Sequence, residues 1–242
     1  MIQLINKQNI NSKFISLSQQ NVKPPLVKNI FDESKHFYVC SYGGCGSTIL
    51  CNYLSNFGNT YHIHDRYPPN KLTYVGKNNT DKDVYEEWFN DVEIPENELS
   101  NYKVIFIYRN PIEVIYSRFA QRGGPNKPHL KHIKCDNDGD ININDVLKNG
   151  KDLYEVEDFF NNYTESKNKN YDIYCVKYEL FFNNISFFNY ALGIPDIKYL
   201  YPLKIEKPKK KQPRIYNRLM LIYRNLIVKM NRMRFIVLIK TK

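Results

Sequence analysis

Apolar and polar residues follow two periods along this chain, one of strands and one of helices. The short apolar run Phe37–Tyr42 (FYVCSY) predicts a buried strand. Ile49, Leu50, Tyr53, Leu54 and Phe57 then recur at helical spacing, with Gly58 as the stop. Thr60–His64 (TYHIH) predicts a second strand, ended by Pro68-Pro69. The clearest strand is Lys103–Tyr108 (KVIFIY), short, apolar and β-branched. Asn110-Pro111-Ile112-Glu113 follows at once. It predicts a helix with Asn110 as N-cap, Pro111 as first helical residue and Glu113 closing a capping box. That helix should run to about Arg118–Gln121 and end at Gly123-Gly124-Pro125. Lys151–Thr164 predicts a helix, Tyr171–Tyr178 a strand, and Phe181–Leu192 and Tyr216–Met233 two further helices. Residues 70–100 are polar and mixed, with a short helix expected around Val84–Phe89 carrying Trp88. Residues 125–150, charged and rich in Asn and Asp, read as a loop or insertion. Alternating strands and helices predict an α/β fold of three α/β/α layers around a mostly parallel sheet. One domain is expected over 1–242, with a polar lead-in at 1–35 and a basic loop and C-terminal helix at 204–242.

Composition narrows this picture. A chain of 242 residues can bury one sizeable core. Its 42% hydrophobic and 14% aromatic content argues against disorder. The net charge of +10 suits a polyanionic partner, although a general richness in Lys, Asn, Ile and Tyr explains it equally well. Five cysteines (Cys40, Cys45, Cys51, Cys135, Cys175) with no CxxC pair argue against a disulfide framework or zinc site and fit reduced thiols. Neither a signal-peptide pattern nor an apolar run of membrane-spanning length is present; Phe235–Ile239 is far too short. The expected location is cytoplasmic.

The candidate chemistry begins between the first strand and the first helix. Gly43-Gly44-Cys45-Gly46-Ser47-Thr48 makes a glycine turn that presents backbone N–H groups and a helix N-terminus to one point, which favours phosphate or sulfate. It is not a Walker A loop, because Ser47 stands where that motif needs Lys, and the dinucleotide spacing G-x-G-x-x-G is absent. The strand KVIFIY ends in Tyr108-Arg109 with no acidic residue to hold magnesium. Arg109, at a strand's carboxyl end, offers a bidentate fork for phosphate, and Ser117 eight residues on adds a hydroxyl.

Together, SYGGCGSTIL and VIFIYRNPIEVIYSRF resemble the two cofactor signatures of sulfotransferases that use PAPS (3′-phosphoadenosine-5′-phosphosulfate). The first family pattern, [TS]-Y-P-K-S-G-[TS]-T, aligns over Ser41–Thr48; the second, V-x-Y-x-x-R-N-P-x-x-x-x-x-S, aligns over Val104–Ser117. YCVKYELFFNN resembles the family's strand ending in a Tyr-Glu pair. Over roughly residues 37–195 the resemblance implies a P-loop NTPase-like sulfotransferase architecture, with PAPS as donor and no metal required. It also implies that Gly43–Thr48 hold the 5′-phosphosulfate and that Arg109 and Ser117 hold the 3′-phosphate. Gly44 departs from the pattern where the family carries Lys or Arg. Arg66, Arg122 or a lysine of 207–211 is the expected substitute. Ile49 stands where many members stack a Trp on adenine. A basic C-terminal loop in the family suggests Lys209, Lys210, Lys211 and Arg214 as further 3′-phosphate ligands, against the alternative of a solvated tail.

His62-Ile63-His64-Asp65 closes the second strand, where the resemblance implies the base that takes the acceptor's proton. His64, nearer the strand end, ranks first, and His62 and Asp65 follow. A metal site from these three and purely structural histidines are the alternatives. The acceptor is expected to be a hydroxyl, or an amine, on a glycan or small molecule, recognised by loops at 66–100 and 122–150. A P-loop phosphotransferase and a non-catalytic basic nucleotide- or nucleic-acid-binding protein are the rivals, although no RNA-binding signature is present. The last helix should pack its apolar stripe on the core, with contact to a membrane surface as the sharper alternative.

Overall fold

The structure is a computed structural model and describes residues 30–80, 83–120, 127–136, 141–204 and 212–241. Seven strands form one sheet: β1 (His36–Cys40), β2 (Asn59–Ile63), β3 (Thr73–Thr80), β4 (Asp83–Glu93), β5 (Tyr102–Tyr108), β6 (Ile173–Lys177) and β7 (Ile236–Ile239). Their order is β3-β4-β2-β1-β5-β6-β7. The five central strands run parallel, while β3 pairs antiparallel with β4 and β7 antiparallel with β6. The described helices are α1 (Ser47–Leu54), α2 (Pro111–Ile115), α3 (Lys127–His132), α4 (Ile143–Asn149), α5 (Val156–Thr164), α6 (Tyr178–Phe181), α7 (Ile185–Leu192), α8 (Pro213–Ile222) and α9 (Arg224–Arg232).

The order places the reversal of the sheet between β1 and β5. From β1 the chain steps through α1 to β2 on one side; from β5 it steps to β6 on the other. Parallel crossovers are right-handed, so opposite steps put their helices on opposite faces of the sheet. On one face Phe106 of β5 stacks on Tyr163 of α5 at 4.5 Å. In the connection that leaves β1, Tyr53 of α1 donates its hydroxyl to Asn189 Oδ1 of α7 at 2.8 Å. The central residues Val39, Cys40, Ile105 and Ile107 are fully buried, as strands covered on both faces require.

Several sequence expectations need correction. Val84–Phe89 is not a helix but part of β4, and Trp88 packs edge-on to Tyr38 at 5.3 Å. Residues 125–150 are not a plain loop, since they contain α3 and α4. Asn142 and Asp145 form a capping box at the start of α4, and left-handed Gly150 ends it. The helix expected over Tyr216–Met233 is two helices broken at Tyr223, whose buried ring anchors to Asp152 through its hydroxyl. The short apolar run before the C-terminus is β7, the strand that covers the edge of β6. Residues 1–29 of the lead-in and 205–211 of the basic run lie outside the described residues. Among the described residues no helix is long and apolar enough to cross a membrane.

Candidate functional site

The reversal point of an open α/β sheet leaves a crevice at the carboxyl ends of its strands. Two chain segments enter it here. β1 and β5 pair in parallel with Cys40 opposite Phe106, so the glycine turn and Arg109 leave the sheet side by side. Arg109 Nη1 reaches Gly44 O at 3.4 Å. Gly43, Gly44 and Gly46 all have left-handed φ angles (99°, 70° and 85°) that side chains strain to adopt. Gly46 is the N-cap of α1 and lacks a side-chain cap. Among the described residues the N–H groups of Gly44 through Thr48 donate to no protein acceptor. They form a cluster of donors at the positive end of α1.

The neighbours of the turn come from the other segments. A Cβ on Gly46 would overlap the Tyr178 ring, so the first residue of α6 lies directly against the turn. The Arg109 guanidinium sits over the same ring at 4.7 Å. A Cβ on Gly44 would lie 3.1 Å from Ser117 Cβ and 3.3 Å from Ser117 Oγ. Ser117 belongs to a π-helical stretch, Tyr116–Ala120, that continues α2. Its i→i+5 winding rotates successive side chains by less than an α-helix does, so both Ser117 and Arg118 bear on the turn. A Cβ on Gly43 would lie 2.5 Å from Arg118 Nη2 and 2.8 Å from His129 Cε1. Asn110 caps α2 as expected, accepting from Ile112 N–H at 2.9 Å. The predicted capping box does not close: Glu179 Oε1 takes the Asn110 N–H at 2.7 Å, while Glu113 stands 3.7 Å from Arg109.

Hydroxyls and imidazoles line the β2 side. Ser41 Oγ accepts from Gly43 N–H at 3.2 Å and donates to Ser47 Oγ at 2.9 Å. Ser47 Oγ in turn lies 2.7 Å from His62 Nε2. A hydroxyl that accepts from Ser41 has its own proton to give, which assigns His62 Nε2 as acceptor and Nδ1 as the protonated nitrogen. His64 Nδ1 lies 2.6 Å from the Ser41 carbonyl, which can only accept, so Nδ1 carries the proton there. His64 is buried, at 1% exposure, whereas His62 is half-buried. His64 stands nearer the strand end; His62 is the more accessible of the two, but the Ser47 hydroxyl engages its accepting nitrogen. Thr48 is exposed at the edge of the turn.

Two further histidines come from α3, which the sequence expectations treated as loop. The His129 and His132 rings lie 6.1 and 5.5 Å from that of His64, and the His62 and His64 rings 4.4 Å apart. Burial pushes His62 down to about 4, aided by the Arg118 charge, and burial pushes His132 down to about 4. His64 is pushed well below its ordinary value by burial and by His62 beside it. All three are neutral at neutral pH. Burial also pushes the Cys45 thiol up to about 12, so no thiolate stands at the turn.

Asp65 and Arg66 are used elsewhere. Asp65 accepts from Lys134 Nζ at 2.6 Å and from Tyr67 N–H at 2.9 Å. Arg66, expected as a substitute cation for the turn, is instead buried in ion pairs with Glu155 and with Asp158 at 3.2 Å. Arg122 and Lys207–Lys211 lie outside the described residues. Arg214 lines, with Lys148 and Arg218, a cavity of about 360 Å³ that shares no residue with the turn. Among the described residues no group of three or more His, Cys, Asp or Glu is arranged to hold a metal ion.

Sequence reasoning missed Arg118, His129, His132 and Tyr178 as residues of this site. The His-x-x-His spacing of 129 and 132, one face of a helix, was a usable signal for two of them. Compared with family models, curated proteins and solved structures, the chain matches none. The site therefore rests on its geometry and on the motif resemblance.

Proposed function

We propose that this chain is a PAPS-dependent sulfotransferase of P-loop-like architecture that moves a sulfuryl group to a hydroxyl acceptor. The observation that carries this is the meeting of the two motif segments. Arg109 touches Gly44 and Ser117 packs over it, so one nucleotide can reach both. The turn's N–H groups and the Ser47 and Thr48 hydroxyls hold the 5′-phosphate and receive the negative charge that grows on it as it leaves. Arg109 and Ser117 hold the 3′-phosphate. The acceptor oxygen bonds to sulfur, the sulfur–phosphate oxygen bond breaks, and the acceptor's proton goes to a neutral imidazole, either His64 or, by way of the Ser47 hydroxyl that engages its accepting nitrogen, His62.

Thermal shift tests this directly. Adenosine 3′,5′-bisphosphate should raise the melting temperature, and Arg109→Ala should abolish the rise. A larger rise with magnesium-ATP would overturn the assignment in favour of a phosphotransferase. Binding of the bisphosphate without turnover on a broad acceptor panel would mark a non-catalytic binding protein.

A further inference from the structure

Two positions of the glycine turn lack the side chains that the sulfotransferase pattern carries: Gly43 stands at the pattern's Pro and Gly44 at its Lys. One residue from another segment fills the space of the first and borders the second. The point where a Gly43 Cβ would sit is 2.5 Å from Arg118 Nη2 and 2.7 Å from Arg118 Nε; the corresponding point at Gly44 is 3.4 Å from Arg118 Cγ. The arginine stem thus runs over Gly44 and its guanidinium lies on Gly43. A side chain at Gly43 would have to displace the guanidinium, whereas at Gly44 the arginine stem is in ordinary contact and Ser117 is the closer neighbour.

We infer that Arg118 supplies the cation that the turn itself lacks, delivered across the crevice from the π-helical stretch onto the 5′-phosphosulfate position. This rests on the proposed function and names a further ligand-contacting residue for it. Two features of Arg118 suit the task. A guanidinium stays charged at every working pH and offers two parallel N–H bonds to a phosphoryl group. Its location beside the turn lays the guanidinium on Gly43, where a side chain would overlap it. Arg118 also acts on the imidazoles, since its charge adds to burial in keeping His62 unprotonated and able to accept. A cation that neutralises the leaving phosphate and keeps the neighbouring base neutral serves both ends of sulfuryl transfer.

The division of labour is testable on the full chain by calorimetric titration with three ligands: adenosine 3′,5′-bisphosphate, adenosine 3′-phosphate and adenosine 5′-phosphate. Arg118→Gln should weaken the bisphosphate and the 5′-phosphate about 10- to 100-fold, the range of a charge-assisted hydrogen bond. It should leave the 3′-phosphate within about twofold. Arg109→Gln should show the mirror pattern, and Arg118→Lys should recover part of the loss. Equal losses on all three ligands in Arg118→Gln, or no loss, would overturn the role of Arg118 while a selective Arg109 effect left the nucleotide assignment standing. A wild-type chain that binds none of the three would overturn both. Circular dichroism and melting of each variant exclude misfolding; should Arg118→Gln fail to fold, Arg118→Lys decides on the same ligand pattern.

Discussion

Two sets of arginines sit near the carboxyl edge of this sheet, in opposite surroundings. Arg66 is buried against Glu155, with Asp158 and Asp136 at 3.2 and 3.6 Å, a positive charge matched inside the protein. Arg109 and Arg118 instead lie against glycines, hydroxyls, imidazoles and an aromatic ring. The carboxylate paired with Arg109 is Glu113 at 3.7 Å, beyond hydrogen-bond length. A cation that the fold neutralises is scaffold; Arg109 and Arg118 stand beside the glycine turn, where the proposed function puts an anion. Residue type alone does not separate the two, because the sequence offered Arg66 alongside Arg122 and the lysines of 207–211 as a cation for the turn.

The contrast breaks most visibly under substitution. Arg66→Ala should destabilise the protein by about 3–5 kcal/mol, because the buried Glu155 loses the positive charge that faces it. Urea unfolding would measure this, and nucleotide affinity of the folded fraction should not change. Arg109→Ala should cost about 1 kcal/mol or less in the same assay, its ion pair being long and partly exposed. A similar stability loss in both would erase the distinction between scaffold and site.

Gly46→Ala comes next. A left-handed residue with a Cβ costs about 1–2 kcal/mol, and overlap with the Tyr178 ring adds about 1–3 more. Nucleotide binding should fall further than stability, since Tyr178 must move and carries Arg109 with it.

The smallest effect is the pH dependence, and it sharpens the picture of the histidine wall. His62 and His132, pushed down to about 4, and His64, pushed well below its ordinary value, take protons in the unfolded chain from about pH 6.5, before the folded one does. Stability is therefore full above pH 6.5 and falls as pH drops toward 4. Asp152, pushed up to about 6 by burial, works the other way and adds stability as pH falls through 6. Three imidazoles outweigh one carboxyl, so a net loss of stability is expected between pH 7 and 5. His62→Gln and His132→Gln should each flatten the slope; a stability that rises on acidification would contradict the neutral wall.

Local pattern made much of this architecture legible. The apolar runs gave β1, β5 and β6, and Asn110-Pro111 gave the start of α2, because buried parallel strands and helix caps write themselves into short windows. β4 did not, since Tyr85-Glu86-Glu87-Trp88 mixes polar and aromatic residues without a strand's alternation. α4 was hidden by an Asn- and Asp-rich composition, although Asn142, Asp145 and Gly150 spell out its caps. In the site, Gly43–Thr48, Arg109 and Ser117 were legible as motifs. Arg118 and Tyr178 were not, because only the order of the strands and the π-helical winding bring them to the turn; the α3 histidines showed as a His-x-x-His spacing, with nothing local to set it beside β2.

The central claim is that one ligand bridges the glycine turn and Arg109, and a crystal structure with adenosine 3′,5′-bisphosphate tests it most directly. One phosphate should sit on the N–H groups of Gly44–Thr48 with Arg118 over it, and the other between Arg109 and Ser117. A bisphosphate bound elsewhere, such as among Lys148, Arg214 and Arg218, with the turn left empty, would contradict it.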